Sequence, residues 1–136
     1  MALAQRSVEL FNRDFSEEGF VEGRPPDETR ALYVEEPVIV PIRAALEGIE
    51  YNGPTALEDF AAAIRESWTW LRIEIASRRA LDDELVLVNG TLTGSGRESG
   101  AETSAAVTWL IEIEGDRVAA VRTFTSEQAA LEAAAR

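Results

Sequence analysis

The chain has 136 residues, of which 46% are hydrophobic and 28% are charged. This length and composition predict a single globular domain over residues 1–136 and exclude a disordered or fibrous protein. The 13 basic and 25 acidic residues give a net charge of −12, and such a surface repels phosphates and anionic lipids, so we expect neither nucleic acid nor membrane as a partner.

Three residue types are missing, and their absence limits the possible chemistry. The sequence contains no His, no Cys and no Lys, because all 13 cationic residues are Arg. It therefore has no Ser-His or Cys-His nucleophile, no Cys/His zinc site and no lysine Schiff base, and any acid–base step must use Asp, Glu or Tyr. We expect neither a metal nor an organic cofactor. Neither a membrane-spanning apolar run nor a secretory signal pattern is visible, so we expect a cytoplasmic protein.

Helical spacing of apolar residues dominates the first half of the chain. Over residues 2–15 the spacing i, i+4, i+7, i+11 predicts an amphipathic helix through Ala4, Val8, Phe11 and Phe15. A short second helix is expected from Pro25-Pro26 to about Val34. Thr55 and Glu58 have the spacing of a capping box, and the apolar residues that follow predict a helix over 55–68.

Strand patterns occupy the second half. A β-branched edge strand is predicted at 38–40 and a brief returning strand at 49–51. From Trp70 the apolar period becomes two, which predicts antiparallel strands at 71–79, 84–95, 102–114 and 117–125, followed by a short helix capped by Ser126. The predicted fold class is α+β, with helices on one face of a curved, mostly antiparallel sheet.

The strand at 102–114 has two distinguishable faces. Its inner face is fully apolar: Ala105, Val107, Trp109, Ile111 and Ile113. A three-residue turn at 114–116 would place Trp109 near Val121 and Thr123. The other face carries Ala106, Thr108 and Leu110, which is too apolar for a freely solvated sheet, so we expect a homodimer through this outer face.

Four local phrases, in this order of elements, resemble the nuclear transport factor 2 fold and, within it, the SnoaL-like polyketide cyclase and ketosteroid isomerase-like families. The likeness covers nearly the whole chain. The phrases are ALYVEE at 31–36, YNGP at 51–54, GRESGA at 96–101 and IEGDRV at 113–118. The resemblance implies a cone in which the sheet wraps around the helices, with an apolar pocket at the wide end and pairing through the outer sheet face.

The catalytic groups of the resembling enzymes do not match this sequence. Pro41 stands where the ketosteroid isomerase base would be, Trp109 stands where its protonated Asp would be, and the first helix has no Tyr. The cyclase His has no counterpart, and Thr123 lies near the cyclase acid position. We find no Asp-Arg-Asp set of the limonene-epoxide-hydrolase type on the late strands.

The leading hypothesis is a homodimer that binds a small apolar or amphipathic molecule in the cone, with Tyr33 and Thr123 hydrogen-bonding its polar end. The predicted ligand-binding residues are Tyr33, Val40, Trp68, Trp109, Val121 and Thr123. The alternative is a proton-transfer enzyme acting on a polyketide- or steroid-like carbonyl compound, with a catalytic carboxylate. Its candidates are Glu36, Glu50, Glu74 and Glu112, of which Glu36, with Arg43 as a partner, is preferred. A third hypothesis is a dimerisation or interaction module with a filled cone.

Overall fold

The helices and strands follow one another in the predicted order. The computed structural model describes residues 2–15, 27–41 and 50–135. The helices are α1 (Ala2–Asp14), α2 (Asp27–Leu32), α3 (Ala56–Ser67) and α4 (Glu127–Ala134). The strands are β1 (Tyr33–Val40), β2 (Trp68–Ala80), β3 (Leu85–Gly96), β4 (Glu102–Glu114) and β5 (Arg117–Phe124).

The strands form one curved five-stranded sheet in the order β1-β5-β4-β3-β2. Neighbours are antiparallel except for β1, which runs parallel to β5. Trp109 pairs with Thr123 and Ile111 with Val121 across β4 and β5, so Trp109 lies near both predicted residues. The predicted three-residue turn is wrong: Glu114 pairs with Arg117, which leaves a two-residue turn, and a register shift between Glu112 and Ile113 sets the pairing. The α+β fold class is confirmed.

Helix α1 lies along the free edge of β2. The Asn12 amide nitrogen donates to the Ile73 carbonyl at 2.9 Å, and the Ile73 backbone N–H donates to the Asn12 amide oxygen at 2.7 Å. The backbone N–H of Leu71 also donates to the Phe15 carbonyl at 2.9 Å. An edge strand normally leaves these groups to water, so α1 satisfies the backbone of β2 and packs its own apolar stripe against the inner face of the sheet.

The outer face of the sheet is partly covered by the chain itself. Ala130 of α4 packs with Leu87 and Leu110, and each of these three residues is at most 5% exposed. Thr108 is also buried, whereas Ala106 is exposed. The apolar character at Leu110 is therefore explained within one chain. The homodimer stays a prediction, and its interface would use the part of the face that α4 leaves open.

Several local predictions need correction. The capping box is wrong: the Thr55 hydroxyl makes no capping bond and donates instead to the Asp59 carboxylate at 3.0 Å, while Glu58 pairs with Arg30 at 3.3 Å. The second helix ends two residues early, because Tyr33 already belongs to β1. The strand predicted at 49–51 is reduced to one bridge between Tyr51 and Ile39, and its first residue, like Arg43, lies outside the described residues.

Replacing Asn12 by Ala removes both hydrogen bonds to Ile73 and leaves two backbone groups short of a partner. We expect the free energy of unfolding, measured by urea denaturation, to fall by about 2 kcal/mol. Gln5→Ala is the control, since the Gln5 side chain bonds only in the solvent-exposed part of α1; it should change stability by less than about 0.5 kcal/mol. Equal stabilities for the two variants would contradict the role of Asn12.

Candidate functional site

A cavity of about 340 Å³ lies between the inner face of the sheet and helices α1 and α3. Its volume is in the range of small-molecule sites. Helix α1 contributes Ser7, Val8 and Phe11 to its wall, and α3 contributes Ala63 and Ile64. The strands close the opposite side with residues such as Ile73, Val88, Leu92 and Ile111. Helix and strand thus meet around an apolar space that their side chains do not fill.

Aromatic side chains make up much of this wall, and they come from both sides. Phe11, Phe60 and Tyr51 form a tilted group, with ring centroids 6.5 Å apart for Phe11 and Phe60 and 6.3 Å apart for Tyr51 and Phe60. The full aromatic set is Phe11, Tyr33, Tyr51, Phe60, Trp68 and Trp109. Rings of this kind offer large rigid contact surfaces to a ligand.

Two glycines of β3 make room for the two tryptophans. A Cβ at Gly90 would lie 2.3 Å from the Glu74 carbonyl oxygen and 3.2 Å from the Trp109 ring. A Cβ at Gly94 would lie 2.9 Å from the Trp68 ring. The two glycines are four residues apart and therefore share the inner face of β3. A side chain at either position would also meet a neighbour on β2, the Glu74 carbonyl at Gly90 and the Leu71 side chain at 2.4 Å at Gly94, so both positions require glycine for close packing.

Tyr33 provides a hydroxyl group inside the site. Its side chain lines the cavity, and its oxygen lies 3.4 Å from the Ser7 hydroxyl. Burial raises the pKa of Tyr33 above its ordinary value of 10.0, and the negative charge of Asp14 raises it further, while the hydrogen bond with Ser7 acts in the opposite direction. Tyr33 is consequently protonated at neutral pH and can donate a hydrogen bond.

Asp14, behind Tyr33, was not among the predicted residues. It is 2% exposed; its carboxylate accepts from the Thr29 hydroxyl at 2.5 Å and from the Arg13 guanidinium at 3.0 Å. A small second cavity of about 30 Å³, enough for one water molecule, touches both Asp14 and Tyr33. Asp14 follows Ser7 by seven residues and so lies on the same side of the helix, but its burial depends on Thr29, a contact that helical spacing does not predict.

The structure brings five of the predicted ligand-binding residues together. Tyr33, Trp68, Trp109, Val121 and Thr123 all line the cavity. Tyr33 pairs with Val118 of β5, five residues before Thr123, so the backbones of the two hydroxyl residues are separated by about 16 Å along the strand. They would contact different parts of a ligand rather than one polar end.

Val40 and the four predicted carboxylates lie outside the cavity wall. Val40 pairs with Arg122 on β5, and its neighbours Ile39 and Pro41 line the cavity instead, because successive strand residues face opposite sides. Glu36 is exposed and also absent from the wall. Among the described residues, the carboxylate that does line the cavity is that of Glu66, an exposed residue near the end of α3. The helical spacing of α3 did not distinguish Glu66 from the other polar residues of that helix.

The described residues form neither a carboxylate cluster for a metal ion nor a membrane-spanning helix. Within residues 2–15, 27–41 and 50–135, no three or more Asp and Glu side chains are grouped so that they could hold a metal ion. Over the same residues, no helix has the length and apolarity needed to cross a bilayer.

Solved structures provide the comparison with known proteins. A protein of unknown function from Burkholderia pseudomallei, described as nuclear transport factor 2-like, superimposes with a TM-score of 0.72 at 14% identity over 97% of this chain and 94% of its own. A candidate polyketide cyclase from Xanthomonas campestris gives 0.70 at 16% identity over 96% and 93%. This chain has a nuclear transport factor 2-like fold. The sequence matches no family model and no curated protein.

A third neighbour has a ketosteroid isomerase-like fold. It comes from Catenulispora acidiphila, was solved in complex with trimethylamine, and superimposes with a TM-score of 0.68 at 12% identity over 93% of this chain and 89% of its own. The predicted resemblance to nuclear transport factor 2-like, polyketide cyclase and ketosteroid isomerase-like proteins is thus confirmed at the level of the fold. Identities this low carry no residue-level assignment of activity.

Gly90→Ala tests the fit of Trp109 against β3. The added methyl group would meet the backbone of Glu74 and the Trp109 ring, so the strands or the ring must shift. We expect the free energy of unfolding to fall by about 2 kcal/mol and the near-ultraviolet circular dichroism of tryptophan to change. Glu114→Gln, an exposed substitution at the end of β4, should alter neither measurement. Wild-type stability in Gly90→Ala would contradict the assigned contacts.

The raised pKa of Tyr33 can be measured without interference. Because the chain has no Lys or Cys, its two tyrosines are the side chains expected to titrate between about pH 9 and 12. Subtracting the tyrosinate absorbance of Tyr33→Phe from that of the wild type should give a midpoint above 10.0. Asp14→Asn should lower this midpoint, because it removes a negative charge near the hydroxyl.

The same shift predicts how stability depends on pH. The folded state holds the Tyr33 proton above pH 10.0, where the unfolded chain has lost it. The stability that this proton provides is present below pH 10.0 and is lost as pH rises through the folded-state pKa. Tyr33→Phe should therefore lose less stability than the wild type above pH 10. A titration midpoint for Tyr33 at or below pH 10.0 would contradict both the raised pKa and the predicted loss of stability at high pH.

Proposed function

We propose that this protein binds a small, largely apolar molecule in the cavity between the sheet and helices α1 and α3. The observation that supports this most is an open space of about 340 Å³ with an aromatic and aliphatic wall. Trp68 and Trp109 lie along that wall and leave the space unfilled. An apolar ligand would gain by removing both its own surface and that of the wall from water.

Hydroxyl groups within the wall would orient the ligand. Tyr33 is protonated at neutral pH and can donate to a ligand oxygen, and the Ser7 hydroxyl lies 3.4 Å from its own. Thr123 is 5% exposed and lies farther along β5. A molecule that uses both groups would carry polar atoms at two positions of an otherwise apolar body.

The geometry favours binding over the two other hypotheses. Proton transfer needs a base that faces the substrate, and Glu36 is exposed and outside the wall. Tyr33, whose pKa is raised, is suited to donate a hydrogen bond and unsuited to accept a proton. A filled interaction module would leave no open space beside Trp68 and Trp109, so the cavity argues against that hypothesis as well.

Native mass spectrometry of freshly purified protein tests both the cargo and the oligomeric state. We expect a dimer that carries extra mass, and extraction should release a small molecule of low polarity. The proposed dimer would pair through the uncovered outer face around Ala106 and Thr91, which are paired residues of β4 and β3. A monomer would overturn the dimer and leave the cavity proposal to the binding test below.

Filling the cavity gives the direct test of binding. Ala63 lines the cavity, whereas its neighbour Ala62 is exposed on α3. Ala63→Phe should weaken binding of the neutral fluorescent probe N-phenyl-1-naphthylamine by about tenfold or more, which corresponds to about 1.4 kcal/mol. Ala62→Phe adds the same side chain outside the cavity and should bind like the wild type. Absence of probe binding to the wild type, or equal binding by all three proteins, would overturn the proposal.

A further inference from the structure

The charges around the cavity are distributed unequally. Among the described residues, the wall contains no Arg, and its one charged side chain is that of Glu66. A second carboxylate, Asp14, lies behind Tyr33, where the Arg13 guanidinium pairs with it at 3.0 Å. The whole chain carries a net charge of −12. Among the described residues, an anionic ligand would therefore find no cationic partner in the wall to offset its loss of hydration.

Glu66 marks the mouth of the cavity, which we define by Glu66, Ser67 and Trp68. Glu66 is exposed and also lines the cavity, so the cavity meets solvent here. Ser67 and Trp68 follow it at the junction of α3 and β2 and are half-buried. The mouth thus combines a carboxylate with a large aromatic side chain, while the deeper wall is apolar.

The guanidinium of the nearby Arg97 does not form an ion pair with the Glu66 carboxylate. Its guanidinium donates to the carbonyls of Arg65 at 2.6 Å and Trp68 at 3.1 Å, and its backbone N–H donates to the Ser67 carbonyl at 2.9 Å. These bonds satisfy carbonyls at the end of α3 and fix the backbone of the mouth. In the part of the chain that the structure describes, Glu66 has no ion-pair partner.

We propose that the ligand is a hydrophobic amine, positively charged at neutral pH, with its ammonium group at the mouth between Glu66 and Trp68 and its apolar body among the aromatic side chains. This inference rests on the proposed function. The carboxylate attracts the ammonium group, and the indole ring attracts it through its negative face. Because the mouth is open to solvent, the charged group keeps part of its hydration, and the hydrocarbon enters the dry interior.

Three ligands with the same hydrocarbon and different head groups test the charge preference. Octylamine is protonated at pH 7, octanol is neutral and octanoate is anionic. Each would compete with N-phenyl-1-naphthylamine for the purified full-length protein. We expect octylamine to bind about tenfold more tightly than octanol, the combined effect of an exposed ion pair and a cation–π contact. Octanoate should bind most weakly, and the preference for octylamine should decline as salt increases.

Two isosteric variants separate a local charge from the overall charge. Glu66→Gln should weaken octylamine binding by about threefold and leave octanol unchanged. Glu114→Gln makes the same change in net charge at an exposed residue that does not line the cavity, and it should leave both affinities unchanged. Equal weakening in the two variants would overturn the role assigned to Glu66, because the preference would then come from the overall charge.

The outcomes distinguish this inference from the proposed function. Octanol binding as tightly as octylamine, or octanoate binding most tightly, would overturn the amine while leaving an apolar binding site intact. Failure of the probe and of all three ligands to bind would overturn the proposed function itself. Preferential binding of octylamine that Glu66→Gln reduces, and Glu114→Gln does not, would support the amine.

Discussion

The two hydrogen bonds between the Asn12 side chain and the backbone of Ile73 determine where the rest of the site can be. They hold α1 along the edge of β2, so Ser7 and Phe11 face the inner surface of the sheet rather than solvent. An amide is suited to this role because it donates and accepts at once. With α1 fixed at one edge and α3 packed on β1 and β2, the space between them is enclosed but not filled.

The cavity and the two glycines of β3 that border it both lower the stability of the fold. Protein interiors are normally close-packed, and a space of this size forgoes contacts that would otherwise stabilise the core. Gly90 and Gly94 lose further stability, since glycine in a strand is entropically unfavourable. What they permit is the placement of Trp109 and Trp68 along the wall. A loss of stability at an open, aromatic-lined cavity is what the proposed binding function predicts.

Much of the fold was predictable, because the strands alternate cleanly and short turns fix their register. That pattern alone placed Trp109 beside Val121 and Thr123. It failed for Val40, since the run Val38-Ile39-Val40 is apolar on both faces of β1 and the parallel pairing with β5 leaves no local signal. It also missed that α4 covers Leu110, because an Ala-rich helix has a weak apolar stripe. It missed Asp14 as well, because the burial of that residue depends on the distant Thr29 and the adjacent Arg13.

Because α4 covers Leu87 and Leu110 on the outer face of the sheet, the opening of this helix and the loss of the cavity are separate events in this protein. An eight-residue helix has little stability of its own and should open before the sheet does. Such opening bares an apolar strip on the face opposite the cavity, and exposed strips of this kind promote self-association. Self-association would thus begin on the side of the sheet opposite the cavity, so the protein would aggregate through the exposed strip while each molecule keeps its cavity.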